Sequence, residues 1–162
     1  YFMDKKEALK IVKKDVSTLE NLPAHFKKDK QFILEIMKQT LPRGEVLRYI
    51  HISLIKDKRF ILEAVKQEGF ALQFADESFR KDKEVVLEAV KQEGYALEFA
   101  DESFRKDKEV VLEAVKQEGY ALEFADESLK KDKEFFLEVI KQNDYTPEYA
   151  DEIKQLFDLS ND

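Results

Sequence analysis

The chain has 162 residues, 43% of them hydrophobic and 39% charged, with a net charge of -7 and a sequence pI near 5.1. That balance excludes intrinsic disorder, and it disfavours nucleic acid as a partner, because phosphates select basic surfaces. With no cysteine there is no disulfide framework and no thiolate chemistry, and without an apolar run of about 18 residues or a basic-then-apolar leader neither a membrane span nor a secretory signal is expected.

The first predicted element follows Asp4, where Leu9 and Val12 fall on one face of a helix and Lys6, Lys10, Lys13 and Lys14 on the other. Residues 1–25 read as a polar-faced terminal copy of a unit that becomes plainer further on, with Val16 standing where later copies carry glycine. Residues 26–53 retain Lys-Asp-Lys, Leu-Glu and Lys-Gln but hold three extra residues, and over 40–53 Pro42 and Gly44 break the pattern while Arg43, Arg48 and Tyr49 enter it. This irregular stretch is either a binding loop on a rigid scaffold or a tolerated insertion. Residues 54–78 match the next unit at 18 of 25 positions, 79–103 and 104–128 are identical letter for letter, and 129–153 match at 13 of 25. Identity across exposed charges reflects recent duplication, so the elements that survive in the diverged copies are the informative ones. Thr146 and Pro147 then start a last helix whose Ile153, Leu156, Phe157 and Leu159 close the stack through 154–162.

Within a unit each recurring element has a physical role. Asp107 is placed to cap a helix running from about Lys108 to Glu118, with Glu109 at its positive end and Lys116 at its negative end. Gly119 is expected to stop that helix in a left-handed conformation. Val110, Val111, Leu112, Ala114 and Val115 give the helix an apolar arc wide enough for two neighbours. Tyr120 to Ala125 predict a short second helix, and Asp126 a cap on another turn. One such unit buries too little to offset the ordering of its own backbone, so its stability must come from stacking. The fold class is therefore all-α: an α-solenoid of six repeats of about 25 residues with terminal capping helices, in a single repeat domain over 1–162.

The phrase Asp-Lys-Glu-Val-Val-Leu-Glu-Ala-Val-Lys-Gln-Glu-Gly-Tyr-Ala-Leu-Glu-Phe-Ala-Asp-Glu-Ser, at 107–128, resembles a family of tandem helical repeats catalogued as a domain of unknown function and found mainly in bacterial proteins. The resemblance covers most of 26–153 and implies a repeat array with no catalytic residues; the first copy and 40–53 depart from it.

The expected function is that of a non-catalytic scaffold binding a protein partner through an acidic helical face, as an adaptor or inhibitor, with a bacterial effector or antagonist among the forms this could take. Its surface would align Glu88, Lys91 and Gln92 with Glu113, Lys116 and Gln117 on successive long helices. Tyr95 and Tyr120 belong to aromatic pairs spaced four residues apart, Phe70/Phe74, Tyr95/Phe99, Tyr120/Phe124 and Tyr145/Tyr149, which are inter-repeat core before they are a contact ladder. Charge divides unevenly: residues 1–56 hold 12 of the 28 basic and 7 of the 35 acidic side chains, leaving 16 basic and 28 acidic for 57–162. The basic first third is the alternative, a nucleic-acid surface. An enzyme with a site near 40–53 is the weakest reading, since His25 and His51 are isolated, no phosphate loop appears, and near-identical repeats cannot give two carboxylates different environments. No cofactor, no metal site and no small-molecule substrate is expected, and the expected setting is cytoplasmic, with delivery into another cell also open.

Overall fold

The computed structural model describes residues 2–40 and 43–142, with Gln155 beside them, and the side chain of Arg43 lies outside that set. The expected C-terminal cap over Thr146, Pro147, Ile153, Leu156, Phe157 and Leu159, and the Tyr145/Tyr149 pair, also lie outside it. Among the described residues there is no strand, and each unit contributes one long helix: α1 (Lys5–Val12), α3 (Lys30–Gln39), α5 (Lys58–Gln67), α7 (Lys83–Gln92), α9 (Lys108–Gln117) and α11 (Lys133–Gln142). A 3-10 helix follows each of the first five: η1 (Val16–Asn21), η2 (Arg43–Arg48), η3 (Gly69–Phe74), η4 (Gly94–Phe99) and η5 (Gly119–Phe124). A short α-helix completes the unit: α2 (Ala24–Lys28), α4 (Ile52–Ile55), α6 (Glu77–Arg80), α8 (Glu102–Arg105) and α10 (Glu127–Lys130). Long helices pack on long helices and 3-10 helices on 3-10 helices along the array, so the chain is an α-solenoid of repeats. No helix among the described residues is long and apolar enough to cross a membrane.

The core runs continuously between the rows. Val110, Val111, Ala114 and Val115 are fully buried between α7 and α11; the same four positions are buried in α7, and in α11 Phe135, Phe136 and Val139 are buried while Ile140 is half-buried. Leu112, expected in the apolar arc, is only half-buried at its edge.

Each recurring aspartate of Lys-Asp-Lys serves two units. Oδ1 of Asp107 accepts from the amides of Glu109 and Val110 at 3.0 and 3.3 Å, capping α9, while its Oδ2 receives Lys83 of the preceding unit at 2.7 Å. Lys58 meets Asp82 and Lys108 meets Asp132 at 2.7 Å, and Lys5–Asp29 and Lys30–Asp57 complete the series. These five cross-unit ion pairs stitch the N-terminal ends of six side-by-side long helices along one edge.

The glycines work differently from the expectation. Glu118 is extended (φ -132°), so the long helix has already ended when Gly119 opens η5. Neither Gly69 nor Gly94 adopts a left-handed conformation; each is needed because the next unit comes so close. A Cβ on Gly94 would stand 3.0 Å from the Ala114 carbonyl carbon, nearer still to its oxygen, and 2.7 Å from Glu118 Oε2. The Gly94 amide donates to that carboxylate, and the Gly69 amide to Glu93 in the same way.

The short helices are held by Asp-x-Ser turns. Oδ1 of Asp101 accepts from the Ser103 amide at 3.0 Å and its hydroxyl at 2.7 Å, and Asp76 and Asp126 repeat the arrangement. His51, which precedes Asp76 by the repeat length, replaces the aspartate: its Nδ1 accepts from the Ser53 amide at 3.1 Å and lies 2.8 Å from the Ser53 hydroxyl. Aspartate caps better and suits the positive end of a helix. His51→Asp should therefore raise stability by about 0.5–1 kcal/mol in chemical denaturation; a loss would mean the imidazole makes contacts the carboxylate cannot.

Candidate functional site

The outer face of the long helices carries the expected row. Lys91, Gln92, Lys116 and Gln117 are exposed, while Glu88 and Glu113 are half-buried where they pair with the lysine one turn on, Glu88–Lys91 and Glu113–Lys116 both at 3.4 Å. Because α7 and α9 pack side by side with identical sequences, these two triads repeat in the same orientation on adjacent helices. The face is a mosaic of both signs rather than an acidic strip. The acidic excess sits elsewhere too, on exposed Glu98 and Glu123 along the 3-10 row and on Glu102 and Glu127 at the starts of α8 and α10.

Tyr95 stacks edge-on against Phe124 of the next unit with ring centroids 6.1 Å apart, as Phe70 does against Phe99 at 6.2 Å. The aromatic positions are thus inter-repeat packing, with partners drawn from neighbouring units rather than from within one pair. Tyr120 is 48% exposed.

The irregular stretch is shorter than the sequence suggested. Gly44, Leu47 and His51 each precede Gly69, Leu72 and Asp76 by 25 residues, so the unit is back in register at Gly44 and the insertion is confined to 41–43. Arg48 lies over the Phe74 ring, its guanidinium carbon 5.2 Å from the centroid, and pairs with Glu45 at 3.6 Å. Tyr49 is half-buried and Arg43 opens η2.

Beside the insertion is a cleft of about 460 Å³ whose walls include Lys13, Lys14, Val16, Thr40 and Tyr49. Tyr49 belonged to the sequence-derived candidates, and Lys13 and Lys14 to the basic end offered as the alternative surface; Val16 and Thr40 were not among the candidate site residues. The available signal was the joint departure of Val16 and Thr40 from the unit, which becomes visible once the two are aligned with a glycine and a glutamate that touch.

His25 stacks on Phe2 with centroids 6.2 Å apart and tilts against Phe26 at 4.2 Å, and His51 caps α4. Among the described residues no group of three His, Cys, Asp or Glu side chains is arranged to hold a metal ion. The titrations that depart from ordinary values are those of the fold. Hydrogen bonds from the serine two residues on, hydroxyl first and amide second, hold Asp15, Asp76, Asp101 and Asp126 below the usual carboxylate value.

No curated protein and no solved structure matches the chain. The family described as Domain of unknown function (DUF4116) matches residues 4–55, 35–80, 57–105, 82–130 and 107–154. Four of those five matches begin on a capping aspartate, Asp4, Asp57, Asp82 or Asp107, and the last three of these step along the array by one unit. The matched segments span nearly the whole chain, and it belongs to this family of unknown function.

Proposed function

We propose that the chain is a non-catalytic scaffold that binds a protein partner across the outer face of its long helices, as an adaptor or inhibitor. A cytoplasmic setting, and a bacterial effector or antagonist role, belong to the same reading. The observation that supports it is the repetition of Glu88, Lys91 and Gln92 as Glu113, Lys116 and Gln117 on adjacent packed helices, a regular polar surface on a continuously stacked frame. With a net charge of -12 over residues 57–162, the long-range field of that region favours a basic surface on the partner.

Affinity capture from lysate of the native source, with and without nuclease, tests the reading. A discrete protein should be recovered regardless of nuclease, and Glu88→Lys with Glu113→Lys should weaken it about tenfold and lessen its salt dependence. Unchanged affinity in that double variant would refute the proposed face. Recovery that disappears with nuclease, or with Lys6→Ala and Lys10→Ala, would instead favour nucleic acid on the exposed lysines of α1.

A further inference from the structure

At two regular junctions a carboxylate locks one unit to the next: Glu93 accepts from the Gly69 amide and Glu118 from the Gly94 amide, 24 residues apart in each case. The same offset at the first junction pairs Val16 with Thr40, and neither half of the lock is kept. Val16 carries a side chain where close approach demands glycine. Thr40 has no carboxylate, and its buried hydroxyl turns back to donate to the Ile36 carbonyl at 2.9 Å. In place of the lock is the cleft of about 460 Å³, within the range of small-ligand sites.

Its charges are unevenly committed. Asp15 accepts from the Ser17 amide at 2.9 Å and the Ser17 hydroxyl at 2.6 Å, and Glu45 pairs with Arg48. Lys13 and Lys14, both exposed at the end of α1, form no ion pair among the described residues. With Glu45 paired to Arg48, Lys13 and Lys14 face one remaining carboxylate, Asp15, whose hydrogen bonds come from a neutral serine, so the cleft keeps a net positive charge at the place where two other junctions hold an anionic side chain.

We propose that this cleft takes a carboxylate from outside the chain, the glutamate side chain of an acidic peptide segment, with Lys13 and Lys14 supplying the charge and Val16 and Tyr49 an apolar wall for its methylenes. The site is separate from the long-helix face and does not rest on the scaffold reading. It accepts from a ligand what the other junctions obtain from within.

The chain supplies its own probe. The peptide of residues 89–95, acetylated and amidated so that Glu93 holds its only carboxylate, is titrated into the full-length protein while amide shifts are followed by NMR. Saturable shifts should centre on Val16, Ser17 and Thr40, and the Glu93→Gln peptide should bind at least about tenfold more weakly, as for loss of a charged hydrogen-bond partner. Lys13→Ala with Lys14→Ala should weaken the Glu peptide by a similar factor. Val16→Gly with Thr40→Glu, which rebuilds the internal lock, should abolish binding. No shift at millimolar peptide, equal shifts from the Glu and Gln peptides, or undiminished binding by the rebuilt junction would each overturn the proposal.

Discussion

Gly94→Ala should destabilise the protein by about 2–4 kcal/mol, a large effect for one methyl group. The new Cβ meets backbone rather than a yielding side chain: the Ala114 carbonyl sits in the C-terminal part of α9, and moving it means moving the helix. Separation of the two units also strains the bond from the Gly94 amide to Glu118. In a stacked array the damage falls on one interface, so unfolding in urea should change shape as well as midpoint, with the halves on either side of the altered junction melting less cooperatively. Gly44→Ala is the matched control, because a Cβ there meets Phe74 Cε2 at 3.4 Å and the Ala71 amide nitrogen at 3.5 Å, ordinary contact distances. It should be neutral or stabilising by up to about 1 kcal/mol, since alanine lowers the entropy of the unfolded chain. Equal losses at both positions would mean that glycine is required for its conformation and not for the approach of the next unit.

The fold class and the long helices were legible because their signals are local and recur: a capping aspartate, a buried four-residue arc, and a lysine near the end, repeated at fixed spacing. What periodicity cannot report is which recurring residues touch. Asp107 was readable as the cap of its own helix, but its second oxygen serves Lys83 of the unit before, and nothing local marks that pair. The glycine after the helix, read at Gly119 as a left-handed stop, misled for a related reason: glycine there serves equally for a left-handed turn or for close approach, and at Gly94 only the neighbouring unit decides between them. Tyr95 and Phe99 look like a pair four residues apart, yet Tyr95 packs on Phe124. The irregular stretch looked longer than it is because Glu45, Arg48 and Tyr49 change chemistry without changing register.

The second large effect concerns acid. At Asp82 and Asp107 partial burial pushes the carboxyl up, but hydrogen bonds from Lys58 and Lys83 and from first-turn amides outweigh it, leaving both below their ordinary value of 3.8. Asp29 is lowered against the same burial, and at Asp57 and Asp132 the lysine hydrogen bond is itself the leading cause. A carboxyl with a lowered folded value binds its proton less readily folded than unfolded. Its contribution to stability is thus complete above the unfolded value and fades as pH falls through the folded one. With all five stitches titrating in the same direction, the thermal midpoint should be nearly flat around neutral pH and fall steeply below about pH 4. Asp82→Asn with Asp107→Asn keeps side-chain oxygens that can cap α7 and α9 but removes the aspartate charges that receive Lys58 and Lys83, leaving those lysines Glu84 and Glu109 at 2.8 Å. That variant should lose about 1–2 kcal/mol at neutral pH, because each pair is partly exposed. The deficit should shrink as acid protonates the same two aspartates in the wild type. A deficit that stays constant down to pH 2 would place the cost in helix capping, and the cross-unit stitches would then contribute little to holding the solenoid together.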